Sequence, residues 1–428
     1  MKIAVLTNNF IPFNSGNGSS IFLWSLTNGL FHRDAEVHLV SYGIDFPKWQ
    51  SILKSNSKQD MEKRLTDSGF IPHLYPIISQ TFPNDFTGSY VGRALLPRPE
   101  YYYSGFRYST WISNTLSKIE PDIIFPYMVD AVAGSNEYRN KNQNCCIALV
   151  TDLDHLVRKY RRKYMDDQSL IAKIFQFRNI VAERKFTNLS IQLLKSCDRV
   201  CCSAFHHSEW LRRKGVTNIK YFPVPVLDRV GESWFSKKQN SQRNLKIPRI
   251  LMLGNVNGIA TLSGLRYFQE ELMEKLDELY KITDFELRII GGGQLEPKTS
   301  LIFSKYPWIK RIGFVDDVDE ELLSSSIVLV PTSIPLGFRT RIAEAFSYGA
   351  CVVAHKNNSM GMPELRNGEN ILLSENPDEF MFNINKCLTD NNFRIMIGNN
   401  ARSTYNEMYR GDIVVQKILD YSFENKVL

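Results

Sequence analysis

Beyond the apolar run Ile327-Val-Leu-Val330 the chain reads Pro331-Thr-Ser-Ile-Pro-Leu-Gly337-Phe-Arg339-Thr-Arg341-Ile-Ala-Glu344-Ala-Phe-Ser-Tyr-Gly349-Ala-Cys-Val-Val353. A strand ends at Pro331, a glycine loop follows with two arginines two residues apart, and a helix opens that carries a carboxylate in its first turns. Arginine grips phosphate with a bidentate fork, and a carboxylate accepts both hydrogen bonds of a vicinal diol. Gly337, Arg339, Arg341 and Glu344 together therefore suit a nucleoside diphosphate: the arginines for its phosphates, the glutamate for its ribose. Any one of them alone would read as a surface arginine or as an acid favoured by the helix dipole; the argument rests on the set.

Two further loops fit the same ligand. Gly254-Asn255-Val-Asn257-Gly258-Ile-Ala-Thr-Leu-Ser-Gly264 follows the run Ile250-Leu-Met-Leu253 and precedes a helix expected over Leu265 to Leu279, and Gly291-Gly-Gly293 follows Phe285 to Ile290. Small residues let backbone amides approach an anion, and a helix start adds a partial positive charge. In the first half, Gly16 and Gly18 sit in a similar loop behind the strand Lys2 to Asn8. The stretch Thr151-Asp152-Leu-Asp154-His155 follows the run Cys146 to Val150. Asp152 in it fits a helix cap. The doublet His206-His207 reads as structural.

The elements that must position these groups alternate. A strand, a glycine loop, a helical pattern through Ile21 and Leu26 and a second strand at Val37 to Val40 open the chain, and apolar runs recur at Ile123, Cys146, Val200 and Ile219. The alternation breaks over the polar stretch 231–247, restarts at Ile250 and continues to Val353. That predicts an α/β protein with two Rossmann-like, doubly wound parallel-sheet domains facing across a cleft: residues 1–230 for an acceptor, a linker at 231–247, and residues 248–411 for the donor. The last helix, 412–428, is expected to pack back on the first domain.

Composition narrows the class. With 428 residues, 43% hydrophobic and 23% charged, the chain is an ordinary globular protein of two or three domains. The seven cysteines lack Cys-x-x-Cys spacing, and no His-Glu-x-x-His motif offers a metal site. No secretory leader or membrane span is legible, so a cytoplasmic location is expected, with peripheral attachment at the inner face of the membrane left open. The net charge is +7, yet Thr151 to Lys220 alone holds 15 Lys and Arg against 7 Asp and Glu. Such local basicity, densest at Arg158 to Lys163, suits an anionic membrane surface or a diphosphate-bearing substrate, and nucleic acid is not an expected partner. Eight aromatics crowd the 27 residues from Phe82 to Tyr108, which suits a sugar or a lipid boundary as well as a self-packed loop.

Both halves resemble glycosyltransferase family 4, the retaining nucleotide-sugar enzymes of GT-B fold. The resemblance is carried by Met1-Lys-Ile-Ala-Val-Leu-Thr-Asn with Gly16 and Gly18, by Arg199 to Ser203, Trp210 to Gly215 and Tyr221 to Asp228, and most specifically by Ala343-Glu344-Ala, Gly349, Val352-Val353-Ala354, Pro363-Glu364-Leu365 and Asn367 to Asn370. It implies transfer of a hexose from a nucleoside-diphosphate sugar to a saccharide or lipid-linked acceptor with retention, without metal or other cofactor, in cell-surface polysaccharide or glycoconjugate synthesis. It also implies Glu344 at the ribose, Arg339 and Arg341 at the phosphates, and Gly254, Asn255 and Asn257 at the donor loop. Since the family often has a histidine at the end of the strand that here is Cys146 to Val150, it makes Asp152, Asp154 and His155 candidates to orient the donor sugar or stabilise positive charge at its anomeric carbon. Two positions depart from the family pattern. Leu336 stands where a second glutamate is usual, and the Gly254 loop lacks the usual arginine and lysine. A nucleotide-sugar-binding protein without transferase activity and a GT-B sugar-nucleotide epimerase are the alternatives.

Overall fold

The computed structural model describes residues 1–12, 18–53, 57–78, 98, 102–164, 170–243, 245–315 and 317–424. Gly16, and Phe82, Phe86, Tyr90 and Tyr101 of the aromatic stretch, lie outside the described residues.

The chain forms two compact units. The first comprises residues 1–155, 166–222 and 415–428, and the second residues 156–165 and 223–414. Each is built on one parallel sheet, as expected when strands alternate with helices.

In the first unit the order is β3-β2-β1-β4-β5-β6-β7, with β1 Lys2–Asn8, β2 Glu36–Ile44, β3 Ile71–Pro76, β4 Ile123–Pro126, β5 Cys145–Val150, β6 Arg199–Cys202 and β7 Ile219–Tyr221. The register runs Ile3↔Val37 and Ile3↔Ile123. Ile3 to Leu6, Ile123 to Phe125 and Cys146 to Val150 are almost wholly buried, the continuous apolar pattern of strands covered on both faces. The edge strand β3 escapes sequence reading because Ile-Pro-His-Leu-Tyr-Pro holds two prolines and no apolar period. Its exposed edge tolerates them.

The second sheet has the order β10-β9-β8-β11-β12-β13, with β8 Arg249–Leu253, β9 Glu286–Ile290, β10 Ile309–Gly313, β11 Ile327–Val330, β12 Cys351–His355 and β13 Leu372–Ser374. Alternate residues face two separate apolar layers. Ile250, Leu287, Leu329 and Val353 join one, and Leu251, Val328, Val330 and Val352 join the other. Each such side chain, once buried, contributes about 1.5–3 kcal/mol, so the sheet is held from both sides.

Three segments differ from the sequence reading. The polar stretch 231–247 is not a bare linker: it holds a helix, Trp234–Arg243, tied to the second unit by Gln242 donating to the Ser325 carbonyl at 2.7 Å and Ser241 to Glu320 at 3.0 Å. Apart from Trp234, which packs on the apolar layer at Gly349, its ties are polar, so no apolar period marks it. The helix Asp154–Tyr164 follows β5, yet from Leu156 on it groups with the second unit. There Arg266 donates to the Tyr164 carbonyl at 2.8 Å and lies 5.4 Å over its ring. Finally, the expected helix Leu265 to Leu279 is two helices, Ile259–Tyr267 and Met273–Tyr280, joined by a π-turn at Phe268–Leu272.

The helix Gly411–Phe423 ends the described chain, and from Val415 it groups with the first unit. Asp420 pairs with Arg33 at 2.9 Å, and the Tyr421 hydroxyl donates to the Asn218 carbonyl at 2.8 Å.

Candidate functional site

In the second unit the three loops singled out in the sequence converge at the carboxyl ends of β8, β9 and β11. The Gly254 amide donates to the Ile290 carbonyl at 3.1 Å and the Val256 amide to the Gly292 carbonyl at 3.0 Å, so the two glycine loops are laced together. Gly291, at φ +127°, leaves no room for a side chain, since a Cβ there would stand 2.2 Å from the Gly254 carbonyl oxygen. Asn255 and Asn257 are exposed on this loop, and the Asn255 Oδ1 accepts from the Asn257 amide at 2.9 Å. Gly258 precedes the helix Ile259–Tyr267. Gly264, expected in the loop, lies inside that helix against Thr332, whose hydroxyl donates to the Ala260 carbonyl at 3.0 Å. The helix start is thereby fastened to the loop after β11.

Arg341 and Glu344 sit on the helix Thr340–Ser347. The Arg341 guanidinium donates to the Thr261 hydroxyl at 2.8 Å and lies against Gly254. Burial lowers its pKa to about 10, which leaves it a cation at neutral pH. A cleft of about 270 Å³ opens here between Gly254, Thr261, Gly264, Pro331, Thr332 and Arg341. Glu344, partly buried, has its pKa raised, by burial first, with Asp319 adding and the Arg229 and Arg341 cations opposing. A carboxylate kept from water beside a cation and next to a cleft is suited to accept hydrogen bonds from a ligand diol.

The two arginines part company. Arg339 is 5% exposed, and its guanidinium turns back into its own loop: Nε donates to the Asn358 side chain at 2.9 Å, Nη2 to the Ile334 carbonyl at 2.7 Å, and Nη1 to the Leu336 carbonyl. Arg339 therefore braces the loop around Gly337, which itself takes φ +66°. The side chain of Leu336 is buried at 3% exposure, so this position sends an apolar group into the core and no carboxylate to the cleft.

In the first unit, Gly18 begins the helix Gly18–Phe31. Asp152 follows β5, and its charge helps raise the pKa of both Tyr127 and Cys202, each pushed up to about 12 by burial above all. That places Asp152 where β4, β5 and β6 end. Asp154 opens the helix Asp154–Tyr164. His155 is buried with its ring 4.9 Å from that of Trp210, a packing position. Of the three, His155 is buried, while Asp152 and Asp154 are both partly exposed and Asp152 lies beside Tyr127 at the strand ends. His207 is wholly buried and its ring lies 4.1 Å from that of His206, as expected of a structural doublet.

Sequence reasoning missed two features here. Asp130 is a buried acceptor for Asn8 and Tyr42 at 2.8 Å each and for the Gly105 amide at 3.1 Å, locking β1, β2 and the helix Gly105–Ile119 together. Met128 takes φ +70°, unusual for a residue with a side chain, just past β4, and its sulfur accepts from the Thr151 hydroxyl at 3.1 Å. Only the tertiary structure reveals either one. Of the aromatic stretch, Tyr103 and Tyr108 turn inward at 2% and 3% exposure, Tyr103 stacking on Phe186 at 4.6 Å. Those two are core rather than sugar platform. Among the described residues, no three His, Cys, Asp or Glu cluster as a metal site, and no helix is long and apolar enough to cross a membrane.

Residues 247–390 match the family model described as Glycosyl transferases group 1. No curated protein matches the chain in sequence. Among solved structures, Anabaena HepE in complex with UDP aligns with a TM-score of 0.66 at 14% identity, over 98% of this chain and 99% of its own. A glycosyltransferase from Rickettsia africae aligns at 0.66 and 14% over 99% and 98%. Sucrose-phosphate synthase from Thermosynechococcus elongatus does so at 0.66 and 14% over 98% and 97%. The chain thus has the GT-B fold, and residues 247–390 of its second unit are similar to the Glycosyl transferases group 1 family.

Proposed function

We propose that the protein transfers a hexose from a nucleoside-diphosphate sugar to a saccharide or lipid-linked acceptor with retention of configuration, in the synthesis of a surface polysaccharide or glycoconjugate. The observation that carries the reading is Arg341 lining a cleft with Gly254, whose loop is laced to the Gly291 loop, while Glu344 stands one turn further along the Arg341 helix. Arg341 and the loop amides neutralise the leaving diphosphate, and Glu344 holds the ribose diol. Catalysis is then mostly positioning and preorganised charge. Asp152 is the first-unit group assigned to the sugar. HepE, crystallised with UDP and with UDP-glucose, supports a uridine nucleotide as the first donor to try.

Purified protein incubated with UDP-, GDP- and ADP-sugars and with lipid-pyrophosphate and oligosaccharide acceptors tests this. The reading expects acceptor-dependent release of nucleoside diphosphate, a product whose anomeric configuration by proton NMR equals that of the donor, and a rate unaffected by EDTA. Interconversion of the donor sugar without acceptor would make it an epimerase. Donor binding with no turnover on any acceptor would leave a nucleotide-sugar-binding protein.

A further inference from the structure

The second unit holds a second pocket, at the opposite end of its sheet from the nucleotide cleft. It encloses about 390 Å³ and is open to solvent. Its walls come from Ser326 and Cys351, at the amino ends of β11 and β12, from Trp234, Phe235 and Lys238 of the helix Trp234–Arg243, and from Arg394 of the helix Asn391–Thr404. The cleft between Gly254 and Arg341 lies beyond the carboxyl ends of the same strands.

The lining holds two cations and no carboxylate. Among the described residues neither Lys238 nor Arg394 enters an ion pair. Lys238 Nζ donates to the Ser325 carbonyl at 3.3 Å, a long bond for an ammonium that has three protons to place, while Arg394 donates from Nη1 to the Cys387 carbonyl at 2.8 Å and from Nη2 to the Asn391 side chain at 2.5 Å. Burial, with the neighbouring Arg394 charge pushing the same way and Cys351 opposing, brings Lys238 down to about 7. Two cations side by side without a counterion are costly, so Lys238 gives up its proton near neutrality, and an anion between them would restore the charge and remove the cost. The rest of the wall is aromatic: the Trp234 ring is so close to Gly349 that a Cβ there would stand 2.0 Å from it, and Phe235 is 38% exposed at the rim. An apolar rim over a cationic floor recognises an amphipathic ligand.

We propose that this pocket binds a small organic anion, a carboxylate or phosphate on a planar apolar body, with Lys238 and Arg394 on the anion and Trp234 and Phe235 on the body. Nothing in the donor chemistry requires it, and the site stands whether or not the transferase reading holds.

Naphthalene-2-carboxylate and its uncharged amide are the probes, titrated into the full-length chain and followed by probe fluorescence, with and without saturating UDP. The expected result is one carboxylate bound per chain, the amide at least tenfold weaker, and no displacement by UDP. Lys238→Met and Arg394→Met should each lower carboxylate affinity tenfold or more, and Lys238→Arg should retain it. Phe235→Ala, at an exposed position that the fold does not need, should weaken both probes several-fold. Equal affinity for the two probes, displacement by UDP, no effect of Lys238→Met and Phe235→Ala in folded protein, or no binding at millimolar probe would each overturn the proposal.

Discussion

The Arg341 guanidinium rests on the backbone of Gly254: a Cβ at Gly254 would lie 3.1 Å from its Cζ, and 2.6 Å from the Thr261 hydroxyl to which Arg341 donates. An arginine from the first turn of the helix Thr340–Ser347 thus closes over the glycine loop after β8. Positive charge and small backbone meet within one residue's reach, which is what a diphosphate requires.

The contrast between Arg339 and Arg341 separates stability from binding. Arg339→Met removes donors from the Ile334 and Leu336 carbonyls and should destabilise the second unit by about 2–4 kcal/mol, lowering Tm by several degrees. Arg341→Met should leave Tm nearly unchanged and weaken nucleoside diphosphate binding at least tenfold. Differential scanning calorimetry paired with nucleotide titration checks both; equal losses of Tm would contradict the division.

Gly291→Ala should cost more than about 2 kcal/mol, because φ +127° and a 2.2 Å approach to the Gly254 carbonyl oxygen both oppose a methyl group. Urea denaturation of the variant should show a lower midpoint at unchanged slope. A midpoint equal to wild type would mean that the two loops are not laced as described.

These loops and Glu344 were legible in the sequence because glycines after apolar runs and an acid at a helix start are local signals. Which arginine faces the ligand is not legible in the sequence, since the two stand only two residues apart, and it takes the helix start at Thr340, the turn at Gly337 and the Asn358 side chain to send Arg339 inward. Asp130 was missed for a related reason. It reads as an ordinary first-turn acid of the helix Met128–Arg139, while its partners Asn8 and Tyr42 lie 122 and 88 residues away. The helix Trp234–Arg243 was read as linker because it has no buried residues to set a period. The parallel sheets, by contrast, follow directly from continuous apolar runs.

Glu344 makes the unliganded protein pH-sensitive. Its pKa is raised in the folded state, so folding favours its protonated form, and this stabilising contribution is full below the ordinary glutamate range and lost as pH rises through the raised value. Glu344→Gln should flatten that part of the stability profile and raise apo stability at pH 7, while weakening nucleotide binding. Denaturation midpoints from pH 4 to 8 test it; parallel profiles for the two proteins would count against a buried carboxylate.

Arg158, Lys159, Arg161 and Lys163 are exposed, whereas Leu156, Val157, Tyr160 and Tyr164 are partly buried. If this helix meets an anionic membrane it does so by charge, at about 1 kcal/mol per cation. Flotation with phosphatidylglycerol vesicles should be seen at low salt and lost at about 0.5 M, where screening is nearly complete. Flotation that survives high salt would require an apolar contact that this face does not offer, and no flotation at low salt would remove the membrane as a partner.

The central claim, that the cleft beside Arg341 and Glu344 holds a nucleoside diphosphate, is tested most directly by calorimetric titration of uridine, guanosine and adenosine diphosphates into wild-type protein and Glu344→Ala. The account predicts one site per chain for at least one of them, and a loss of about 1.5–3 kcal/mol in the variant, the range for a hydrogen bond to a charged group. Binding of none of the three to wild type, or equal affinity in a folded Glu344→Ala protein, would contradict it.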